Sequence, residues 1–121
     1  MLPIRVYISG PYSTGDQAAN VARAMTIWHR LVDLGFHPYC PHLSHFLHIQ
    51  RQRPYGEWIK FDLDEIYTQD VVLRLPGESS GADKEAQFAV KYGVPVIGGG
   101  TVEDAIQNLL AWKKGREDVG M

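Results

Sequence analysis

Residues 70–85 read Asp70-Val71-Val72-Leu73-Arg74-Leu75-Pro76-Gly77-Glu78-Ser79-Ser80-Gly81-Ala82-Asp83-Lys84-Glu85, and this stretch decides the fold class. Asp70–Leu75 is a short apolar run rich in β-branched residues, the pattern of a buried strand. Pro76 and Gly77 stop it, since both residues punctuate regular structure. From Ala82 to Tyr92 the pattern is helical, and Gly93 stands where a C-terminal helix cap belongs. Strand, small polar loop, helix is half of a parallel βαβ unit.

The same grammar repeats on both sides. Ile4–Ser9 reads as a strand that Gly10-Pro11 ends. Asp16–Leu34 reads as a helix, with Val21, Ala24, Met25, Trp28, Leu31 and Val32 on one apolar stripe and Gly35 as its cap. Phe36–Cys40 is a short second strand weakened by Pro38, and Pro41–Pro54 has room for a short helix around Leu43–Ile49. Tyr55–Thr68 is a helix that turns Trp58, Ile59, Leu63 and Ile66 inward. Val94–Ile97 is a fourth strand, which Pro95 places near a sheet edge. Gly98-Gly99-Gly100 leads into a last helix capped by Thr101, with Val102, Ala105, Ile106, Leu109 and Leu110 on its apolar face. The tail, residues 116–121, is expected to be flexible.

Strands alternating with helices imply right-handed crossovers and a parallel sheet covered on both faces. The expectation is one α/β domain over residues 1–121, a flavodoxin- or Rossmann-like three-layer sandwich. Its sheet would have four or five strands in the order 2-1-3-4(-5). Such sheets bind ligands at the carboxyl ends of the strands, where the strand order switches. That points to two loops, Ser9–Gly15 and Pro76–Gly81.

Bulk properties narrow the function classes. With 121 residues, 45% of them hydrophobic, the chain has the size and composition of one globular domain. A net charge of −2 argues against a polymer-binding basic stripe, although a local pocket can still hold a phosphate. A single cysteine, Cys40, allows no internal disulfide and fits a reducing compartment. Met1–Arg5 lacks the layout of a signal peptide, and no apolar run is long enough to span a membrane, so a cytoplasmic location is the expectation.

Both loops are rich in small and hydroxyl residues, and each leads into a helix whose free N–H groups suit an anion. Plain helix capping by Ser79 or Ser80 is the commoner role, and Ser80-x-x-Asp83 resembles a capping box. The Gly-Lys-Ser/Thr ending of a P-loop is missing. Glu85 lies about one helical turn into its helix. There its carboxylate can face the sheet mouth and attack an electrophilic carbon, although most glutamates sit in solvent. Asp62 shares a helix face with the apolar Trp58, Ile59 and Ile66, unlike its neighbours Glu57, Asp64 and Glu65. Asp70 begins a strand, at the wrong end of the sheet for catalysis, and reads as structural. His37, His42, His45 and His48 cluster without the spacing of a metal motif. They read as a pocket wall able to stack on a base, and Cys40 as a buried thiol.

These residues resemble a family. Tyr7-Ile8-Ser9-Gly10-Pro11, then Asp62, then Asp70-Val71-Val72, then Ser79-x-Gly81-x-x-x-Glu85 is similar to the nucleoside 2-deoxyribosyltransferase superfamily, and within it to the small deoxynucleoside 5′-monophosphate N-glycosidases. The similarity runs from about Ile4 to Val96. It implies that Glu85 is a nucleophile that forms a covalent glycosyl intermediate, which water or a second base then resolves. It implies that Asp62 transfers a proton or orients the sugar, and that the Tyr7 hydroxyl orients sugar or nucleophile. Ser79 matches the serine of the monophosphate hydrolases, where transferases acting on free nucleosides carry an aspartate. With Ser80 and Gly81 it favours a 5′-phosphate. Ser9, Gly10, Pro11, Tyr12, Gly77, His42, His45 and Trp58 complete the expected substrate-binding set. Neither metal nor cofactor is expected. The resemblance also implies a homodimer or larger assembly, in which a neighbouring subunit often completes the site. Departures are Asp83-Lys84, where relatives carry small or apolar residues, and the charge of Glu78 beside the serines. Base exchange between nucleosides and a non-catalytic nucleotide-sensing module are the alternative functions.

Overall fold

The computed structural model describes residues 2–119. The chain runs β1 (Arg5–Ser9), α1 (Gln17–Asp33), β2 (His37–Tyr39), a 3-10 turn (Pro41–Leu43), α2 (Ser44–Gln50), α3 (Tyr55–Ile66), β3 (Val71–Arg74), α4 (Ser80–Lys91), β4 (Val96–Gly98) and α5 (Val102–Val119). The sheet order is β2-β1-β3-β4 and every pairing is parallel. This is the expected doubly wound topology, with its switch point between β1 and β3. The sheet has four strands among the described residues, so the optional fifth is not formed. Pro38 and Pro95 are tolerated because β2 and β4 are the edge strands.

Strand parity sorts the chain into two cores. Val6, Ile8, Val71 and Leu73 face α1 and α5, where they meet Ala24, Ile27, Leu31, Ala105, Ile106 and Leu109. Tyr7 and Val72 point the other way, onto Ile66 of α3 and Ala89 of α4. The α1 stripe is phased on Ile27, which replaces two expected members: Met25 and Val32 are exposed. Asp16 caps α1 by accepting from the Ala19 N–H at 3.0 Å, a contact worth about 1 kcal/mol.

Two expectations about helix ends are corrected. α4 starts at Ser80, two residues earlier than its apolar pattern suggests, because Ser79 is its N-cap. The Ser79 hydroxyl oxygen accepts from the Ala82 N–H at 3.1 Å, so Ser80 is not the capping residue. α5 does not loosen after Gly115 but continues to Val119. Its last turns are held by an Arg116–Asp70 ion pair at 3.6 Å and by Arg116 over the Trp112 ring. These contacts help offset the roughly 1 kcal/mol that a helical glycine costs. Residues 120 and 121 of the expected flexible tail lie outside the described residues. No helix among the described residues is long and apolar enough to cross a membrane.

Candidate active site

Tyr7 and Ser9 are two apart on β1, so both point at the α4 side of the sheet. Glu85, on the second turn of α4, comes down between them. Its Oε2 accepts a short hydrogen bond from the Tyr7 hydroxyl, and its Oε1 accepts from Ser9 Oγ at 3.0 Å. Glu85 is 6% exposed, and Tyr7 and Ser9 are both 0%. Burial pushes the Glu85 carboxyl up to about 7, while the Tyr7 and Ser9 hydrogen bonds and the nearby Arg74 guanidinium pull it back. Burial, then Glu85 itself, holds the Tyr7 phenol well above its ordinary range, which keeps it a donor.

Glu85 faces a cavity of about 800 Å³ walled by the loops after β1 and β3, by α2 and by α3. Asp62 reaches the same cavity from α3, one helical turn after Trp58. Burial first, and then the charge of Glu85, raise the Asp62 carboxyl to about 8. The cavity therefore holds two carboxyl groups that share a field, and the second to ionise does so near or above neutral pH. Asp64 is exposed, and Asp70 accepts from the Arg5 N–H at 2.8 Å at the far end of the sheet, a structural role.

The start of α4 forms another part of the wall. Ser79, Ser80, Gly81 and Lys84 line the cavity. With Ala82 capped, the N–H groups of Ser80 and Gly81 have no intrahelical partner, which suits an anion there. The Ser79 hydroxyl keeps its hydrogen free to donate while its oxygen caps the helix. Of the departures from the family pattern, Asp83 pairs with Arg74 at 2.9 Å, and Lys84 adds a cation to the wall. Glu78 is exposed and does not line the cavity.

Tyr12, His42, His45, His48 and Trp58 give the cavity an aromatic and imidazole wall, with Gln17, Gln52 and Arg53 as polar groups beside them. Tyr12 Oη lies 2.8 Å from His45 Nδ1, which ties the first loop to α2. The Cys40 thiol is buried and pushed up to about 11 by that burial, so it is a poor nucleophile. Among the described residues no group of three or more His, Cys, Asp or Glu side chains is placed to hold a metal ion.

A family model described as a domain of unknown function, DUF4406, matches residues 4–98. The chain belongs to the DUF4406 family. No curated protein matches it. Several solved structures share its fold, among them two of low sequence identity. One is a 2-deoxyribosyltransferase from Bacillus psychrosaccharolyticus, 22% identical, with a TM-score of 0.55 over 78% of this chain and 70% of that one. The other is a conserved protein from Enterococcus faecalis V583, 20% identical, with a TM-score of 0.60 over 80% of this chain and 63% of that one. At such identities the likeness establishes the fold, a doubly wound α/β sandwich.

Of the expected site residues, this DUF4406 domain brings Glu85, Asp62, Gly10, Tyr12, His42, His45, Trp58, Ser79, Ser80 and Gly81 to one cavity wall. Tyr7, Ser9, Pro11 and Gly77 lie outside that wall. Tyr7 and Ser9 sit beneath Glu85, so their hydroxyls reach the carboxylate and not the cavity. Pro11 and Gly77 pack the two loops together: a Cβ on Gly77, whose φ is +117, would stand 2.8 Å from Pro11 Cγ. Sequence reasoning left out Arg53, Tyr55 and Lys84, which also line the cavity, and it named His48 only among the pocket-wall imidazoles, of which His37 does not line the cavity. His48 carried a signal, three residues beyond His45 on a helix, whereas Lys84 read only as a departure from the family pattern.

Proposed function

We propose that this DUF4406 protein is an N-glycosidase of a nucleoside 5′-monophosphate, with Glu85 as nucleophile. The observation that carries this reading is a carboxylate 6% exposed, gripped by two buried hydroxyls, facing a cavity beside a second raised carboxyl. Burying a carboxylate is costly, and structures keep such groups where chemistry needs them. Tyr7 and Ser9 fix the carboxylate in one rotamer, which favours in-line attack on a bound sugar.

In the first step a Glu85 oxygen bonds to the anomeric carbon and the glycosidic C–N bond breaks. Its electron pair leaves with the base nitrogen, which takes the proton of the Asp62 carboxyl. In the second step Asp62, now ionised, takes a proton from water. The water oxygen bonds to the anomeric carbon, the bond to Glu85 breaks, and the carboxylate is restored. The start of α4 and Lys84 would hold the phosphate. The trio Asp62, Trp58 and His48 marks the base end, because the leaving-group acid belongs beside the base.

The fold of a 2-deoxyribosyltransferase supports a second reading, in which a second base replaces water in the final step. The test is a panel of nucleoside 5′-monophosphates with and without an added free base. Base and sugar phosphate are expected from the native protein and neither from Glu85→Gln. Exchange of bases with little hydrolysis would favour the transferase. Binding without release of base would favour a sensing module and count against Glu85 as nucleophile.

A further inference from the structure

The three imidazoles of the cavity wall are not equivalent. The Pro11 carbonyl can only accept, so His42 must donate to it from Nε2 at 3.2 Å, and its Nδ1 faces Cys40 Sγ at 3.9 Å. Both nitrogens of His42 are turned into the protein. His45 faces the Tyr12 hydroxyl, which can donate or accept, so its tautomer is open. His48 is different. Its Nδ1 lies 2.9 Å from the Trp58 indole N–H and 3.3 Å from the Arg53 backbone N–H, and neither group can accept. Nδ1 of His48 therefore carries no hydrogen, and the neutral ring must carry it on Nε2. The polar atom that His48 leaves for a ligand is a donor of fixed sense.

His48 is coupled through Trp58 to the face of α3 that carries Asp62, the base end of the cavity in the reading above, on which this inference rests. We infer that His48 determines base specificity by donating Nε2–H to an exocyclic oxo group. The protein would thus select nucleotides of oxo bases over their amino counterparts, because an amino group at that place sets donor against donor. Trp58 acts as a positioning residue that fixes the tautomer together with the Arg53 backbone N–H.

The experiment measures kcat/KM for base release from two matched pairs, the 5′-monophosphates of 2′-deoxyinosine against 2′-deoxyadenosine and of 2′-deoxyuridine against 2′-deoxycytidine. The expected result is a preference of about tenfold or more for the oxo member of at least one pair. In His48→Gln, whose amide offers both donor and acceptor, the ratio should fall toward one. Trp58→Phe keeps a ring but removes the shorter of the two N–H contacts to Nδ1, leaving only the 3.3 Å one from Arg53, and should lower the ratio part of the way toward one although it alters no group that hydrogen-bonds the base. Dissociation constants of Glu85→Gln for the same four nucleotides read recognition separately from chemistry. Equal values within both pairs, or a ratio that His48→Gln leaves unchanged, would overturn the inference. A preference in binding without base release from the native protein would uphold it and remove the glycosidase reading alone.

Discussion

Glu85 is held at a disadvantage for stability. Lifting its carboxyl from 4.5 to about 7 costs the folded state on the order of 3 kcal/mol once it ionises. The sign follows from linkage: a carboxyl raised in the folded state binds protons more tightly folded than unfolded. Stability is therefore greatest below the unfolded values near 4, and it falls as pH rises through the folded values of Glu85 and Asp62, about 7 and about 8. Glu85→Gln should raise Tm at pH 8 while abolishing base release, and thermal melts at pH 5 and pH 8 check this, with the gain confined to the higher pH. The proposed chemistry needs Glu85 ionised and Asp62 protonated, so kcat/KM should form a narrow bell between about 7 and about 8. Tyr7→Phe removes a hydrogen bond that favours the ionised Glu85. Its rate should drop about tenfold or more, and its rising limb should move to higher pH. A rate loss without that shift would assign Tyr7 to packing alone.

At the scale of elements, the start of α4 combines two duties in one side chain. Ser79 caps the helix and lines the cavity. Aspartate is as good a cap as serine. Ser79→Asp should therefore leave stability within about 1 kcal/mol of native yet weaken binding of monophosphates far more than of unphosphorylated nucleosides. Ser79→Ala should lose about 1 kcal/mol of stability. Calorimetric titration with a matched nucleoside and nucleotide separates the two effects, and equal weakening of both ligands by Ser79→Asp would remove the phosphate from this position. The tandem serines are also where sequence reading slipped. Ser79 and Ser80 are equally good caps by composition, and the choice between them is visible only in the backbone, where Ser79 is extended at φ −162° and ψ 112° and its oxygen meets the Ala82 N–H.

For the molecule as a whole, topology was legible because strand runs and helical stripes alternate in the chain and parallel crossovers have one hand. The meeting of Glu85 with the loop after β1 followed from the switch point. Asp62 was suggested by the apolar company it keeps on α3. The division of labour was legible only in part: the resemblance left Tyr7 to orient either sugar or nucleophile, and it is the packing of α4 on β1 that brings Tyr7 and Ser9 beneath Glu85. The role of His48 depends on an indole ten residues away in the chain, a pairing that periodicity does not encode. Leu47 and Ile49 on α2 and Phe61 on α3 remain exposed. Burying them would favour the homodimer or larger assembly that the family resemblance implies. Sedimentation should show at least twice the monomer mass at micromolar concentration, and a monomer there would contradict it.

The proposed chemistry requires that the Glu85 carboxylate bond to the sugar. Rapid acid quench during turnover of a nucleoside 5′-monophosphate, followed by peptide mass spectrometry, tests it most directly. The expected result is the peptide that carries Glu85 heavier by one sugar phosphate, and absent from the Glu85→Gln protein. Base release with that peptide unmodified at every time point, or with the sugar attached to another residue, would contradict it.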